Sequence, residues 1–508
     1  MQGTPRLSRP RQLQGMSGVP NPRPLRAGRA PLVVRTPLEP VVEEPAGPEY
    51  SPDEFLERLR ASSWYIQLVL LVCSTAWGLN ASTIMTAAFF DRDNSTMLSI
   101  HRDYKLTPDQ TYIREFLSVS FMVGNVIGGL LISPLCDRNG RLPTLLFCAS
   151  CQCIVFAIIV VSPNVYLLIV LRTMQGFCYT GLGQSAWVLA FESCPIKLRS
   201  RSALQFGIAW VVGYMYLLPV AHYATTWRVL MACVTAPCVV GCLIYVNVVP
   251  ESLHYAVTHH REEQVERWSH RLGREIIISE PPKQAETESI KLQEYLIRHK
   301  RVFFTLTITS LIWLIDSFIY FGLSFYSTSI AGNMELNYFC IGIVELPAYI
   351  FTKIFLSRFS RRAVMGVTHL VAAIAFAIIM CLRDDQPMIA LIGWTIGKLA
   401  ISSAYMAIYV VASEVNEMTE QTIFSTKIRS SCLGVCGVIS RVGGVFAPYI
   451  TFLARVSTTL PLIILIAVST VGTILSLLLP ETKDKPLTKH NVEAQEPLTE
   501  LPEEPESK

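Results

Sequence analysis

Charged residues are scarce in this chain, and their scarcity excludes several classes of protein. Only 16% of its 508 residues are Asp, Glu, Lys or Arg, whereas 51% are hydrophobic and the mean hydropathy is +0.39. A chain of this length and composition is too apolar for one soluble core. The formal net charge is only +4, and no basic stripe with interleaved aromatic residues occurs. We therefore expect no nucleic-acid partner.

Disulfide patterns, catalytic motifs and a signal sequence are also missing. The 14 cysteines lie mostly inside apolar runs, and the C-x-x-C pair of Cys148 and Cys151 has no second pair, which favours packing over metal or redox chemistry. No nucleophile, metal or phosphate-loop constellation indicates an enzyme or a cofactor site. Residues 1–60 hold nine arginines and no apolar core of a cleavable signal peptide. This composition predicts a disordered tail.

Twelve hydrophobic segments reach the length of about 20 residues that a membrane helix needs. They cover 64–90, 115–135, 143–161, 165–190, 203–224, 229–249, 302–330, 338–357, 364–382, 388–412, 431–453 and 459–480. The pattern predicts an all-α polytopic membrane protein with two six-helix bundles, 61–249 and 302–480. A linker at 250–301 carries the amphipathic run HHREEQVERWSHR, and a tail follows at 481–508.

Lysine and arginine in the short loops predict the orientation. The loops after segments 2, 4, 8 and 10 carry Arg138 and Arg141; Lys197, Arg199 and Arg201; Arg358, Arg361 and Arg362; Lys427 and Arg429. The opposite loops at 162–164 and 331–337 carry none, although loop 91–114 is an exception. We therefore expect both termini and the linker in the cytoplasm. The expected membrane is the plasma membrane. Asn94, in Asn-Ser-Thr, then becomes an outer glycosylation site.

Charged motifs at the cytoplasmic helix ends indicate latches. Residues 133–142 read S-x-x-x-D-R-x-G-R-L and resemble the loop signature of the major facilitator superfamily. An acid that caps a helix start and pairs with arginines can hold the two halves closed in one state. A second element, E-x-x-P-x-x-x-R, has a longer-spaced copy in the other half. The predicted latch residues are Asp137, Arg138, Arg141, Glu192, Arg199, Glu414 and Arg429.

Further motifs resemble the organic-ion transporter family of that superfamily over residues 115–487. They are LRTMQG at 171–176, PES at 250–252, SRVGGVFAPY at 440–449 and PETKDKPL at 480–487. YFGLSF at 320–325 and VELPAY at 344–349 are most similar to the carnitine and organic-cation branch. The resemblance implies a twelve-helix fold that works by alternating access, and a role for Arg172 in conformational coupling. The short loop at 91–114 lacks the cysteines that this family usually has there.

Five ionisable residues lie well inside the membrane segments: Arg172, Asp316, Glu345, Lys398 and Arg441. Because a charge at membrane depth costs about 2.5–3.5 kcal/mol on insertion scales, such residues usually mark a solute path. Asp316 and Tyr320 are spaced i, i+4, which suits an organic cation through charge pairing and cation–π contact. Glu345 and Tyr349 share another stripe and are further predicted substrate contacts, as is Lys398. Arg441 can clamp a carboxylate bidentately.

Small organic ions are therefore the predicted cargo, with carnitine-like zwitterions or organic cations favoured. The ammonium would lie near Asp316 and Tyr320, and the carboxylate on Arg441. Internal pairing is the alternative for these charges: Glu345 with Lys398 or Arg441, and Arg441 with Asp316. An organic anion transporter or a receptor-like protein that moves no solute stays open, as do Na⁺ or H⁺ coupling and the oligomeric state.

Overall fold

The computed structural model describes residues 32–34, 55–57, 64–90, 99–107, 110, 112–272, 276–278, 296–297, 299–330, 332–382, 387–418 and 426–481. Twelve helical spans within these residues are long and apolar enough to cross a membrane, which confirms the predicted fold class. The first six are α1 (Trp64–Met85), α2 (Ile113–Asn139), α3 (Arg141–Val161), α4 (Val165–Glu192), α5 (Ile196–Tyr223) and α6 (Trp227–Val248).

The second half repeats this arrangement. Its helices are α7 (Lys300–Tyr326), α8 (Met334–Ile343 continued by Glu345–Arg358), α9 (Arg361–Leu382), α10 (Pro387–Met418), α11 (Thr426–Phe446 continued by Tyr449–Val456) and α12 (Leu460–Leu478). In the first bundle α2 packs along α4, α1 along α5, and α3 along α6. In the second, α7 packs along α11, and α9 along α10 and α12. The bundles meet mainly where α2 contacts α11 and α5 contacts α8.

Local sequence signals explain several helix ends. Asn164 and Thr226 cap α4 and α6, because their side-chain oxygens accept from the backbone N–H groups three residues on. Gly140 separates α2 from α3 with a φ of +105°. A Cβ at this position would lie 2.5 Å from the Glu251 carboxylate. Only glycine therefore allows both the turn and the close approach of Glu251.

The linker begins with two helices that pack on the first bundle, Leu253–Thr258 and Glu262–Leu272. The second has acidic residues in its first turn and His270 and Arg271 in its last, which complements the helix dipole. Its buried Trp268 donates to the Glu251 carbonyl at 2.8 Å, and Arg271 donates to the Val248 carbonyl at 2.7 Å. A short antiparallel pair, β1 (Leu32–Val34) with β2 (Ile276–Ile278), is the one sheet in the described residues.

Candidate functional site

Proline shapes the helix that carries the central acid. Pro347 cannot donate a backbone hydrogen bond, and its ring clashes with the carbonyl four residues earlier. The α8 span breaks at Val344, and Glu345 becomes the first residue of the segment Glu345–Arg358. A carboxylate at a helix N-terminus is stabilised by the free N–H groups and the helix dipole. The VELPAY sequence thus places a buried acid at a helix start in mid-membrane.

Glu345 is fully buried and has three charged or polar partners. Lys398 Nζ lies 2.9 Å from its Oε1 atom. The hydroxyl groups of Tyr320 and Tyr349 donate to the carboxylate at 2.7 and 3.0 Å. Lys398 also donates to Ser324 Oγ at 2.7 Å and lies 3.3 Å from the Tyr320 ring centroid. The charge of Glu345 is therefore compensated inside the protein.

Aromatic residues connect the Glu345–Lys398 cluster to the first bundle. Trp210 of α5 donates its indole N–H to the Tyr320 hydroxyl at 2.9 Å. Tyr405 stacks on Tyr320 with a centroid distance of 5.1 Å and makes an edge contact with Tyr409. Gly207 of α5 lies against the Tyr349 ring, and a Cβ there would come within 2.9 Å of it. Four of the six predicted substrate residues thus lie together at the bundle interface.

Arg441 reaches the same interface from α11. Its Nε donates to Asn125 Oδ1 of α2 at 3.2 Å, and Nη1 donates to the Gly437 carbonyl at 2.9 Å. Gly129 leaves room for the side chain, because a Cβ there would touch three Arg441 atoms at 3.0 Å. Three tyrosines lie within range of its charge: Tyr179, Tyr405 and Tyr409.

No carboxylate in the described part of the chain lies within ion-pair distance of Arg441. The alternative of an internal bridge from Arg441 to Glu345 or Asp316 is therefore not what the structure shows. Glu345 pairs with Lys398 instead, and Asp316 pairs with His369. A half-buried guanidinium without an acid is suited to bind an anionic group.

Asp316 lies apart from the interface cluster. Although it is one turn from Tyr320, its carboxylate lies 3.0 Å from the Nε2 atom of His369 on α9, and both side chains are fully buried. The two residues share a face by spacing, but the structure gives them different partners. Asp316 therefore does not join Tyr320 in one cation site in this conformation.

Arg172 is fully buried in the first bundle. Its guanidinium lies over the rings of Phe121 and Phe90, with centroid distances of 4.7 and 5.1 Å, and it donates to Gln175. No described carboxylate pairs with it. The cation is held by aromatic faces and one amide, so its predicted role in coupling stays a prediction.

The predicted latch residues whose side chains the structure describes lie on the side of the membrane that also holds the linker, which we call the linker side. Arg141 pairs with Asp137 at 3.3 Å and with Glu192 at 3.0 Å. The Arg138 carbonyl accepts from the Tyr255 hydroxyl. Arg199 lies in the first turn of α5. The described ion pairs of Arg141 join elements of the first bundle, not one bundle to the other.

Some predicted residues cannot be placed. Asn94 lies outside the described residues, and so do the side chains of Glu414 and Arg429. The glycosylation site and the second E…R pair therefore stay predictions.

Glu251 completes the latch and was not among the residues predicted from sequence. Its carboxylate accepts from the backbone N–H groups of Arg141, Leu142 and Ser252 at 2.9–3.2 Å, and so caps α3. Glu481 accepts from the N–H groups of Arg361 and Arg362 in the same way and caps α9. The signal was present in the two Pro-Glu sequences that follow α6 and α12.

Replacing Glu251 by alanine will lower stability by about 1–3 kcal/mol, because buried N–H groups lose their acceptor. Glutamine will cost less. Burial raises the pKa of Glu251 above its usual 4.5, opposed by the N–H groups of Ser252, Leu142 and Arg141, so a neutral acceptor is tolerated. Because the pKa of Glu251 is raised on folding, its protonation stabilises the folded state fully below pH about 4.5. This contribution to the free energy of unfolding is lost as the pH rises through the raised pKa. Thermal unfolding between pH 4 and 8 measures both effects.

Glu481→Ala provides the matched comparison, since its carboxylate makes longer contacts of 3.0 and 3.4 Å. It should lower the unfolding temperature less than Glu251→Ala does. Equal stability of Glu251→Ala and the wild type would contradict the capping role.

Cross-bundle contacts close the opposite side of the membrane, which we call the far side. The described hydrogen bonds and ion pairs between bundles lie at mid-membrane or on this side. Two far-side hydrogen bonds join the bundles: Thr328 Oγ1 donates to the Ala88 carbonyl at 2.9 Å, and the Tyr338 hydroxyl donates to the Tyr214 carbonyl at 3.0 Å. Two acid–base pairs do the same, His222 with Glu335 at 2.9 Å and Arg455 with Glu115 at 3.1 Å. This conformation is therefore closed on the far side.

Arg455→Gln should weaken this closure. Glu115 is nearly inaccessible, with a side-chain exposure of 5%, so loss of its cation leaves a buried carboxylate that gains by opening to water. We expect the labelling of a cysteine at Ser118 by a membrane-impermeant maleimide to rise about fivefold or more. Arg228→Gln is the matched control, because its 2.9 Å pair with Asp103 stays within the first bundle. Similar labelling in both variants would contradict a gating role for the Glu115–Arg455 pair.

Several contacts of the interior side chains were not predictable from the residues that form them. Asn125, Trp210 and Tyr405 are common residue types on apolar helices, and His369 is a single histidine in one. Their partners come from helices distant in sequence, so helical spacing alone gives no sign of the contacts.

Comparison with known proteins agrees with this architecture. The profile of a family described as sugar (and other) transporter matches residues 67–494. A Caenorhabditis elegans protein named as a transporter is 34% identical over 85% of this chain and 89% of its own length. A Drosophila melanogaster organic cation transporter protein is 28% identical over 72% of this chain and 68% of its own. Human organic cation/carnitine transporter 2 is 26% identical over 72% and 66%.

A solved structure shares the fold. The crystal structure of a D-xylose–proton symporter superposes with a TM-score of 0.62 at 15% identity, and the match covers 83% of this chain and 99% of that one. The resemblance to organic-ion transporters and the prediction of a transporter rather than an enzyme are confirmed. The chain is a multi-pass membrane protein that acts on a small organic substrate. It belongs to the sugar (and other) transporter family of the major facilitator superfamily.

Proposed function

We propose that this transporter carries small organic ions that bear a carboxylate, and that zwitterions such as carnitine or β-alanine are its preferred class. Arg441 would bind the carboxylate. The observation that supports this assignment is the guanidinium itself, which reaches the bundle interface and has no acid partner among the described residues. An anionic substrate group would supply the missing charge with bidentate geometry.

The charges of the two interior acids argue against a simple organic cation. Glu345 is compensated by Lys398, and Asp316 lies against His369. A cation would have to displace one of these partners, and the displaced group would then be an unpaired buried charge, which is unfavourable. The ammonium group of a zwitterion can instead lie on the aromatic residues beside Arg441, since Tyr405 and Tyr409 offer π faces.

Location and orientation belong to this proposal as well. The basic loops favour cytoplasmic termini and a cytoplasmic linker, and uptake of external zwitterions favours the plasma membrane. With this orientation, the far side is the outer side, and the conformation described above is closed to the outside. Alternating access would then require the Glu115–Arg455 and His222–Glu335 pairs to open.

Uptake by the purified full chain in proteoliposomes tests the substrate class. The panel is radiolabelled carnitine, β-alanine, para-aminohippurate and tetraethylammonium. We expect saturable uptake of the carboxylates and little of tetraethylammonium. Uptake of tetraethylammonium alone would overturn the assignment. Silence on all four, with the protein folded by its unfolding profile, would favour the receptor-like alternative.

A further inference from the structure

The second bundle contains a buried acid–histidine pair that substrate binding at Arg441 does not use. Asp316 of α7 and His369 of α9 are both fully buried, and the Asp316 Oδ1 to His369 Nε2 distance is 3.0 Å. We propose that this pair is a proton-binding site that couples proton movement to transport.

The hydrogen-bond pattern fixes how many protons the pair holds. His369 Nδ1 lies 2.8 Å from the Met365 carbonyl, which can only accept, so Nδ1 carries a hydrogen. The tautomer is inferred from this contact. Nε2 lies 3.0 Å from a carboxylate oxygen, and at this distance an unprotonated imidazole nitrogen and a carboxylate would repel each other. One exchangeable proton therefore resides on the pair, either on Nε2 or on the carboxyl group.

The surroundings leave the pair dependent on that proton. Neither oxygen of the Asp316 carboxylate makes a hydrogen bond of standard geometry in the described structure, so His369 Nε2 at 3.0 Å is the one charged partner described for it. From α12, Gly472 packs on the imidazole ring, and residues 460–478 hold no ionisable side chain. If the proton leaves, a buried negative charge stays without compensation.

The other titratable groups near the pair are Tyr405 and the residues around Glu345. Tyr405 of α10 lies within electrostatic range of Asp316. The Glu345 and Lys398 charges from α8 and α10 compensate each other, and Tyr349 donates to Glu345. Arg441 of α11 acts on the same Tyr405.

This arrangement determines whether protonation of the pair favours or opposes substrate binding. A deprotonated pair adds one negative charge near Tyr405, and a substrate carboxylate on Arg441 adds another. Like charges in a low-dielectric interior repel each other, so protonation of the pair favours carboxylate binding, and carboxylate binding favours protonation. Proton and substrate would cross together. This step rests on the proposed carboxylate specificity, whereas the proton site itself does not.

The test of coupling uses proteoliposomes with the membrane potential clamped at zero and radiolabelled β-alanine or carnitine. For one proton per substrate, an inward gradient of one pH unit drives about tenfold accumulation. Asp316→Asn keeps the shape but cannot ionise, so it should retain exchange of labelled for unlabelled substrate and lose gradient-driven accumulation. His369→Gln should behave alike. His270→Gln, an exposed histidine in the linker, is the control and should accumulate like the wild type.

The outcomes separate this inference from the proposed function. Wild-type exchange without gradient-driven accumulation would overturn coupling while the substrate class stands. Absence of any exchange would overturn the substrate class, and thermal unfolding without substrate then decides the proton site. Above pH about 6.5 an unfolded histidine loses its proton, whereas the folded pair keeps one. The wild-type unfolding temperature should therefore fall with rising pH more steeply than that of Asp316→Asn. Parallel curves would overturn the proton site.

Discussion

Arg441→Gln will lose uptake of carboxylate-bearing substrates while the protein stays folded. The wild-type guanidinium makes two hydrogen bonds, to Asn125 and to the Gly437 carbonyl, and has no described acid partner. Its removal therefore leaves no buried carboxylate uncompensated, and the cost to stability is small. A bound substrate carboxylate, in contrast, loses a charged partner at a cost of about 2–5 kcal/mol. Apparent affinity should fall about 30-fold or more.

Two further variants make this result specific. Arg441→Lys keeps the charge but not the planar fork, so an intermediate loss is expected. Arg267→Gln removes an exposed cation of the linker helix and should leave uptake unchanged. Concentration-dependent uptake in proteoliposomes measures all three. Wild-type affinity in Arg441→Gln, or an equal loss in Arg267→Gln, would exclude Arg441 as the carboxylate site.

Hydropathy and charge in the sequence predict the membrane helices and the buried ionisable residues. Twelve apolar segments, split around residues 250–301, predicted the helices and bundles that the structure shows. Each span must satisfy its backbone internally in lipid, so length and hydropathy suffice to find it. The interior charges were equally visible, because an ionisable residue in such a segment is rare enough to stand out.

The partners of those charges were not predictable. Asp316 was assigned to a substrate cation beside Tyr320 because i, i+4 spacing puts both on one stripe. Its partner in the structure is His369, 53 positions later and on another helix. A stripe on a helix can face a neighbouring helix or the bundle interface, and the choice depends on how six helices pack. The same holds for Lys398, which could have paired with substrate but pairs with Glu345.

Internal duplication is more informative in the structure than in the sequence. Glu251 and Glu481 cap α3 and α9 in the same manner, and Arg141 and Arg361 each donate to a carbonyl five residues earlier. The two copies share Pro-Glu after α6 and α12 and an arginine at the start of α3 and α9. The contacts show that these shared residues have the same role. The central charges are not duplicated: Arg172 lies between aromatic rings, whereas Lys398 pairs with an acid. The two bundles thus share these helix caps and differ in their interior chemistry.

The Glu345–Lys398 pair will show strong coupling between its two charges. Glu345→Gln leaves a fully buried ammonium without its acid, and Lys398→Met leaves a fully buried carboxylate with only the hydroxyls of Tyr320 and Tyr349. Each single change should cost about 3–5 kcal/mol, because an unpaired buried charge remains. The double variant Glu345→Gln, Lys398→Met removes both charges and should recover most of this stability. Thermal unfolding of the four proteins gives the coupling energy.

Transport by the double variant then separates a structural role from a substrate role. Since each charge is already satisfied by the other, a carboxylate on Arg441 does not require either, and we expect uptake within about tenfold of the wild type. If the folded double variant loses uptake while exchange in the wild type is robust, the pair must open to substrate, and Lys398 becomes a second contact for the anionic group. If the double variant is as unstable as the single ones, Glu345 and Lys398 stabilise the interface through their separate hydrogen bonds to Tyr349 and Ser324 rather than through their charges.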